Sequence, residues 1–168
     1  MLTTDQKGNI AELAIAREAI ALGIEVYRPV GEGGRYDMIL ALREELLRIQ
    51  RKWSPRQGDV IIVRCYSCRR NRDGLVRRKY LPGEVDAFAA YCPQTDRCYF
   101  LPYSAFAGRS QVLLRLAPSK NNQAEGINWA KDYEFAGTLG GRGAVAQLGE
   151  RRRGTPKVTG SSPVGSIF

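Results

Sequence analysis

Four side chains in the first third of the sequence could do hydrolytic chemistry together: Glu12, Asp37, Gln50 and Lys52. Asp37 follows Gly33, Gly34, Arg35 and Tyr36 and opens an apolar run, MILAL, in which a strand sets its side chain on one face with Ile39 and Ala41. After Arg43, Glu44 and Glu45, a second run carries Gln50 and Lys52 two residues apart, again on one face. A hairpin of the two runs brings Asp37 within reach of both. Glu12 lies in a helical stretch with Ile15, Ala16 and Ala19 at i+3, i+4 and i+7, an apolar face where a carboxylate reaches solvent, pairs with an arginine or serves a site. Acidic oxygens hold a hard divalent cation such as Mg²⁺, and a lysine orients water and offsets charge developing on a phosphate. The set points to phosphodiester hydrolysis.

Composition narrows the chemistry from the other side. The 168 residues include no histidine, which excludes Ser-His-Asp and Cys-His hydrolases, His-liganded zinc enzymes and His-dependent nucleases. A net charge of +9, carried mostly by arginine, favours a polyanionic partner, because guanidinium groups pair with phosphates and displace condensed counterions. The charge is densest at Arg64, Arg69, Arg70, Arg72, Arg77, Arg78 and Lys79, against the single acid Asp73. With Tyr66, Ser67, Asn71 and Tyr80 interleaved, this segment reads as a DNA-binding surface or, more plainly, as a solvated loop. Cys65-x-x-Cys68 with Cys92 and Cys98 is either a Cys₄ zinc site or a set of buried free thiols. The amino terminus has no secretory pattern and no apolar run is long enough to span a bilayer, so a cytoplasmic protein with no membrane partner is expected.

The elements that must position these residues follow from patterning. Residues 3–22 predict a helix with Thr3 and Gln6 as a capping box and Gly23 as its stop. GIEVYRPV, RYDMILAL, ELLRIQRKW, DVIIVRCYS, EVDAFAAYC, CYFLPY and QVLLRLAP predict strands, residues 69–80 a polar insertion, and NNQAEGINWAKDYEF a last amphipathic helix. The layout is an α/β fold bordering on α+β, a mixed sheet flanked by helices, with a domain over 1–137. Residues 138–168 turn to Gly, Ser, Pro and Arg and read as a disordered tail. Within it GAVAQLGERR and TGSSPVGS resemble the translated D and T arms of a tRNA gene.

The order Glu12, Asp37, Gln50-x-Lys52, with a helix before the strands, resembles the PD-(D/E)XK nuclease superfamily, the restriction-endonuclease-like fold. RYD followed by IQRK, together with KGNIAELA, SCRRNRDGLVRRKY, GEVDAFAAYCPQTDRCYFLP and NNQAEGINWAKDYE, looks more narrowly like its branch of intron-encoded homing endonucleases, over roughly residues 7–135. The resemblance implies a metal-dependent endonuclease in which Asp37 and Glu12 ligate Mg²⁺, with Mn²⁺ able to substitute. The main-chain carbonyl of Arg51 adds a ligand and Lys52 is the catalytic lysine. Gln50 stands where the superfamily more often has an acid; its amide oxygen can ligate a metal or hold a water but brings no charge. Double-stranded DNA is the implied partner, and a homodimer or higher homo-oligomer is expected because cutting both strands needs two active sites. The alternatives are an inactive DNA-binding module of the same fold and a Cys₄ zinc interaction domain.

Overall fold

The computed structural model describes residues 1–31, 33–72, 74–118 and 125–140, without the side chains of 69–71. Helix α1 (Thr4–Ala21) starts as the sequence predicts: the Thr3 hydroxyl accepts from the Gln6 N–H at 3.2 Å and the Gln6 side chain accepts from the Thr3 N–H at 2.9 Å. It stops at Gly23, whose φ of +75° is open to glycine at little cost. Strands β1 (Glu25–Tyr27), β2 (Met38–Leu42), β3 (Glu45–Trp53), β4 (Arg56–Gln57), β5 (Val60–Arg64), β6 (Tyr66–Asn71), β7 (Gly74–Lys79), β8 (Ala87–Cys92) and β9 (Arg97–Pro102) follow. Helix α2 (Tyr103–Phe106), β10 (Gln111–Arg115), β11 (Asn128–Trp129), a 3-10 turn at Ala130–Tyr133 and α3 (Phe135–Leu139) complete the described order.

The main sheet has the order β1-β2-β3-β8-β9, antiparallel except for the parallel pair β3 and β8. On one face, Ala11, Ile15 and Ala19 of α1 and Phe135 and Leu139 of α3 pack against Met38, Leu40, Leu47, Ile49, Ala87, Ala89 and Phe100. Alanines on helix and strand alike let α1 lie close to the sheet. The opposite face is covered not by a helix layer but by a second sheet of order β11-β10-β5-β4, whose Ile61, Val63, Val112 and Leu114 meet Phe88, Ala90, Tyr99 and Leu101. Strand β8 is buried at every position because both its faces are covered. The architecture is α+β, a restriction-endonuclease-like mixed sheet.

Two expectations change. The polar insertion at residues 69–80 has regular structure: β6 and β7 pair antiparallel into a two-stranded ribbon, with every residue of β7 exposed. The last predicted helix is absent among the described residues. Gly126 takes a φ of +70°, and Asn128 and Trp129 gain ladder bonds beside Leu114 and Arg115, so local helical patterning loses to an available strand edge. Helix α3 ends with Leu139 buried. The tail reading, with its tRNA-like segments, lies from residue 141 onward outside the described residues. Among the described residues no helix is long and apolar enough to cross a membrane.

Phe135, fully buried and edge-on to Phe100 at 5.9 Å, fastens α3 to the sheet. Phe135→Ala is expected to cost about 3–5 kcal/mol in urea unfolding; a loss below about 1 kcal/mol would mean that α3 does not belong to the core.

Candidate active site

The β2–β3 hairpin turns at Arg43, held in the left-handed region at φ +58°, and pairs Met38 with Ile49. That register puts Asp37 beside Gln50. The Asp37 N–H donates to the Ile49 carbonyl at 2.9 Å, and its Oδ2 accepts from the Arg51 N–H at 2.8 Å and from Gln50 Nε2. A slip of one residue would turn Gln50 and Lys52 to the α1 face and leave the Asp37 carboxylate without these donors.

Glu12 arrives from the other layer. Next to Ala11 on the buried face of α1, it is only 5% exposed, and its two oxygens receive Arg51 Nη1 and Arg28 Nη2. The arginine-pairing reading of Glu12 is therefore right, and it does not compete with the site reading, because Arg51 Nη1 also lies 3.7 Å from Asp37 Oδ1. One guanidinium spans both carboxylates. Burial lifts the Asp37 carboxyl above its ordinary value, opposed by the Arg51 charge, the Arg51 N–H and Lys52.

Lys52 follows Gln50 on the same face of β3 but makes no hydrogen bond to Asp37. Its ammonium donates to the Tyr66 carbonyl at 2.8 Å and to the Tyr80 hydroxyl at 3.4 Å, and sits 5.0 Å from the Tyr80 ring centre and 5.8 Å from that of Phe88. Enclosure pulls its pKa from 10.5 to about 8, although the Asp37 carboxylate works against the shift. Tyr66 and Tyr80 are the two feet of the β6–β7 ribbon. Arg35 grips the same feet, donating to Ser67 Oγ at 3.1 Å, to the Lys79 carbonyl at 2.9 Å and to Glu84 at 2.8 Å, with its guanidinium 4.3 Å from the Tyr80 ring.

The expected DNA-binding residues divide. Arg72 and Arg77 are exposed on the ribbon, Arg77 over the Tyr66 ring, and Arg64 is exposed at the end of β5. Arg78 is paired with Glu84 at 2.8 Å and Lys79 donates to the Gly108 carbonyl at 3.1 Å. The side chains of Arg69 and Arg70 lie outside the described residues. The four cysteines do not converge: Cys98 belongs to the core under α1, Cys65 and Cys92 to the core between the sheets, and Cys68 is exposed. Among the described residues no group of three or more Cys, Asp or Glu is placed to hold a metal ion. The zinc alternative has no site, and the nuclease-like cluster has two carboxylates, as Gln50 implies. Arg28, which sequence reading passed over, carries no local pattern, and the role of Arg35, seen there only as part of RYD, is revealed by tertiary contact.

The donors fit a hard divalent cation. Asp37 and Glu12 offer carboxylate oxygens to a cavity of about 600 Å³ that Asp5, Asn9 and Tyr36 also line, the Gln50 amide is bonded to Asp37 behind them, and the Arg51 guanidinium is already drawn to both carboxylates.

Lys52 also leaves a mark on stability. Below about pH 8 folded and unfolded chains both carry its charge, and the fold bears the cost of enclosing it; above 10.5 both are neutral. Between these values the unfolded chain binds a proton that the folded chain sheds, so the Lys52 contribution rises with pH, by on the order of 2–3 kcal/mol. Lys52→Met is expected to gain more stability over the native protein at about pH 8 than at about pH 10 in urea titrations. A pH-independent difference would contradict an enclosed ammonium.

Comparison with known proteins bears on the family and the fold. No curated protein matches the sequence. Among solved structures, that of a bacterial homing endonuclease, I-Ssp6803I, is similar with a TM-score of 0.69 and 25% identity, over 92% of this chain and 100% of the other. The family model of PD-(D/E)XK endonucleases matches residues 2–136, which takes in α1, the main sheet, the second sheet and the ribbon. The chain belongs to the PD-(D/E)XK endonuclease family.

Proposed function

We propose that this chain is a Mg²⁺-dependent endonuclease that hydrolyses phosphodiester bonds in double-stranded DNA, in the manner of homing or restriction enzymes. The observation that carries the reading is the convergence of Glu12, Asp37 and Gln50 around Arg51, with Lys52 at the root of a basic ribbon. Asp37, Glu12, the Gln50 amide oxygen and the Arg51 carbonyl would hold the cation, with Mn²⁺ accepted in place of Mg²⁺. When bound, the cation supplies Lewis-acid stabilisation of the phosphate and lowers the pKa of water. Gln50 holds Asp37 in place through its Nε2 and keeps its oxygen for water or metal. Lys52, partly unprotonated near pH 8, hydrogen-bonds the attacking water or a phosphate oxygen.

Arg64, Arg69, Arg70, Arg72, Arg77, Arg78 and Lys79 are proposed to contact DNA. Since Lys52 and Arg35 both clamp the ribbon's feet, the surface that meets the phosphates is held rigidly against the cleavage site. Cutting both strands would take two such sites, hence a homodimer or larger homo-oligomer. A non-catalytic DNA-binding module of the same fold is the second reading, favoured by the missing acid at 50 and by the guanidinium lying between the two carboxylates.

Plasmid nicking in Mg²⁺ separates the two. Asp37→Asn and Lys52→Ala are each expected to lower the cleavage rate about 100-fold or more while binding duplex DNA nearly as the native protein does. Native-rate cleavage by the double variant would refute the assignment, and no cleavage by the native protein under any divalent cation would favour the module. Arg72→Ala and Arg77→Ala, at exposed side chains, are each expected to reduce the salt slope of DNA binding by about one; Arg78→Ala and Lys79→Ala, already engaged within the fold, by less. Equal slopes for all four would move the contact surface elsewhere.

A further inference from the structure

The carboxylates proposed as cation ligands are not open to a cation as they stand. Arg51 Nη1 is hydrogen-bonded to Glu12 Oε2 and lies 3.7 Å from Asp37 Oδ1, while Arg28 closes on the other Glu12 oxygen. A separate observation concerns the helix beneath. A Cβ added at Gly8, within α1 and one turn before Glu12, would meet Arg51 Nη2 at 2.9 Å. Glycine inside a helix is a cost relative to alanine, and here the bare surface it leaves is filled by the guanidinium.

Resting on the proposed cation site, we infer that the Arg51 side chain is a built-in competitor for the divalent cation, seated between Glu12 and Asp37 in the free protein and displaced when metal binds. The charges require displacement. Glu12 and Asp37 are matched by Arg28 and Arg51, so a dication meets no uncompensated carboxylate pair there until one guanidinium withdraws. The Arg51 backbone is fixed in β3 by the Asp37 contact, so only the side chain can move, and at 25% exposure it has solvent to move into. The free protein is therefore a weak metal binder by construction, and Arg51 and Gly8 set how weak.

The test is a Mn²⁺ titration of the DNA-free protein, following the free ion by electron paramagnetic resonance. It compares the native chain with Arg51→Gln, Gly8→Ala, Asp37→Asn and Arg51→Gln combined with Asp37→Asn. Arg51→Gln is expected to bind Mn²⁺ about tenfold tighter or more. Gly8→Ala keeps every charge but forces Arg51 Nη2 to shift, so it should tighten binding in the same direction by a smaller factor, and Asp37→Asn should cancel the gain of Arg51→Gln. If Arg51→Gln and Gly8→Ala bind no tighter than the native chain while Asp37→Asn still weakens binding, the competitor is refuted and the carboxylate site stands. Mn²⁺ binding indifferent to Asp37→Asn in both backgrounds refutes the site and the competitor together.

Discussion

Everything at the candidate active site depends on one backbone contact, the Asp37 N–H donating to the Ile49 carbonyl at 2.9 Å. It continues the β2–β3 ladder one step past Met38, and that step decides which side chains meet. With it, the Asp37 carboxylate takes the Arg51 N–H, Gln50 reaches the same oxygen, and Lys52 emerges on the same face two residues on. Because side chains alternate along a strand, no half-correct register exists: a one-residue shift exchanges the polar face for the apolar one. Leu47 and Ile49 on the α1 side enforce the choice, since turning them out would forfeit a buried core.

The same alternation explains why Arg51 faces Glu12. Strand β3 presents Gln50 and Lys52 to the ribbon side and Arg51 to the helix side, so the site draws on both faces of the sheet where β2 begins. The buried Glu12 needs a partner, because an isolated carboxylate away from water is costly, and Arg51 and Arg28 satisfy it. On the far side the enclosed Lys52 ammonium finds the Tyr66 carbonyl and two aromatic faces. Two costly placements of charge, one on each side of β3, are thus stabilised by local partners that a substrate and a metal ion could replace.

What sequence reading recovered is what short-range physics encodes. The capping box at Thr3 and Gln6, the bounds of β3 and the meeting of Asp37 with Gln50 follow from local hydrogen bonding and strand period. Glu12 was legible as an out-of-place carboxylate, and the cysteines as buried thiols at three of four positions. The rest is tertiary. Helical patterning around Trp129 and Tyr133 was overruled by the open edge of β10, and the arginine-rich segment 69–80 gave no sign that its backbone would pair. Arg28 and Arg35 act through partners as distant in sequence as Glu84, which no window along the chain connects. The bridging role of the Arg51 side chain was hidden for a simpler reason: its neighbours Gln50 and Lys52 carry the recognisable pattern.

The central claim is that Glu12 and Asp37 form one cation site with Gln50 and Lys52 at its border. Anomalous diffraction from a crystal of the protein grown with Mn²⁺ and duplex DNA tests it most directly. The account predicts a manganese peak in contact with the Asp37 and Glu12 carboxylates and the Arg51 guanidinium moved off them. A peak elsewhere, or none with Arg51 still bridging the two carboxylates, would contradict it.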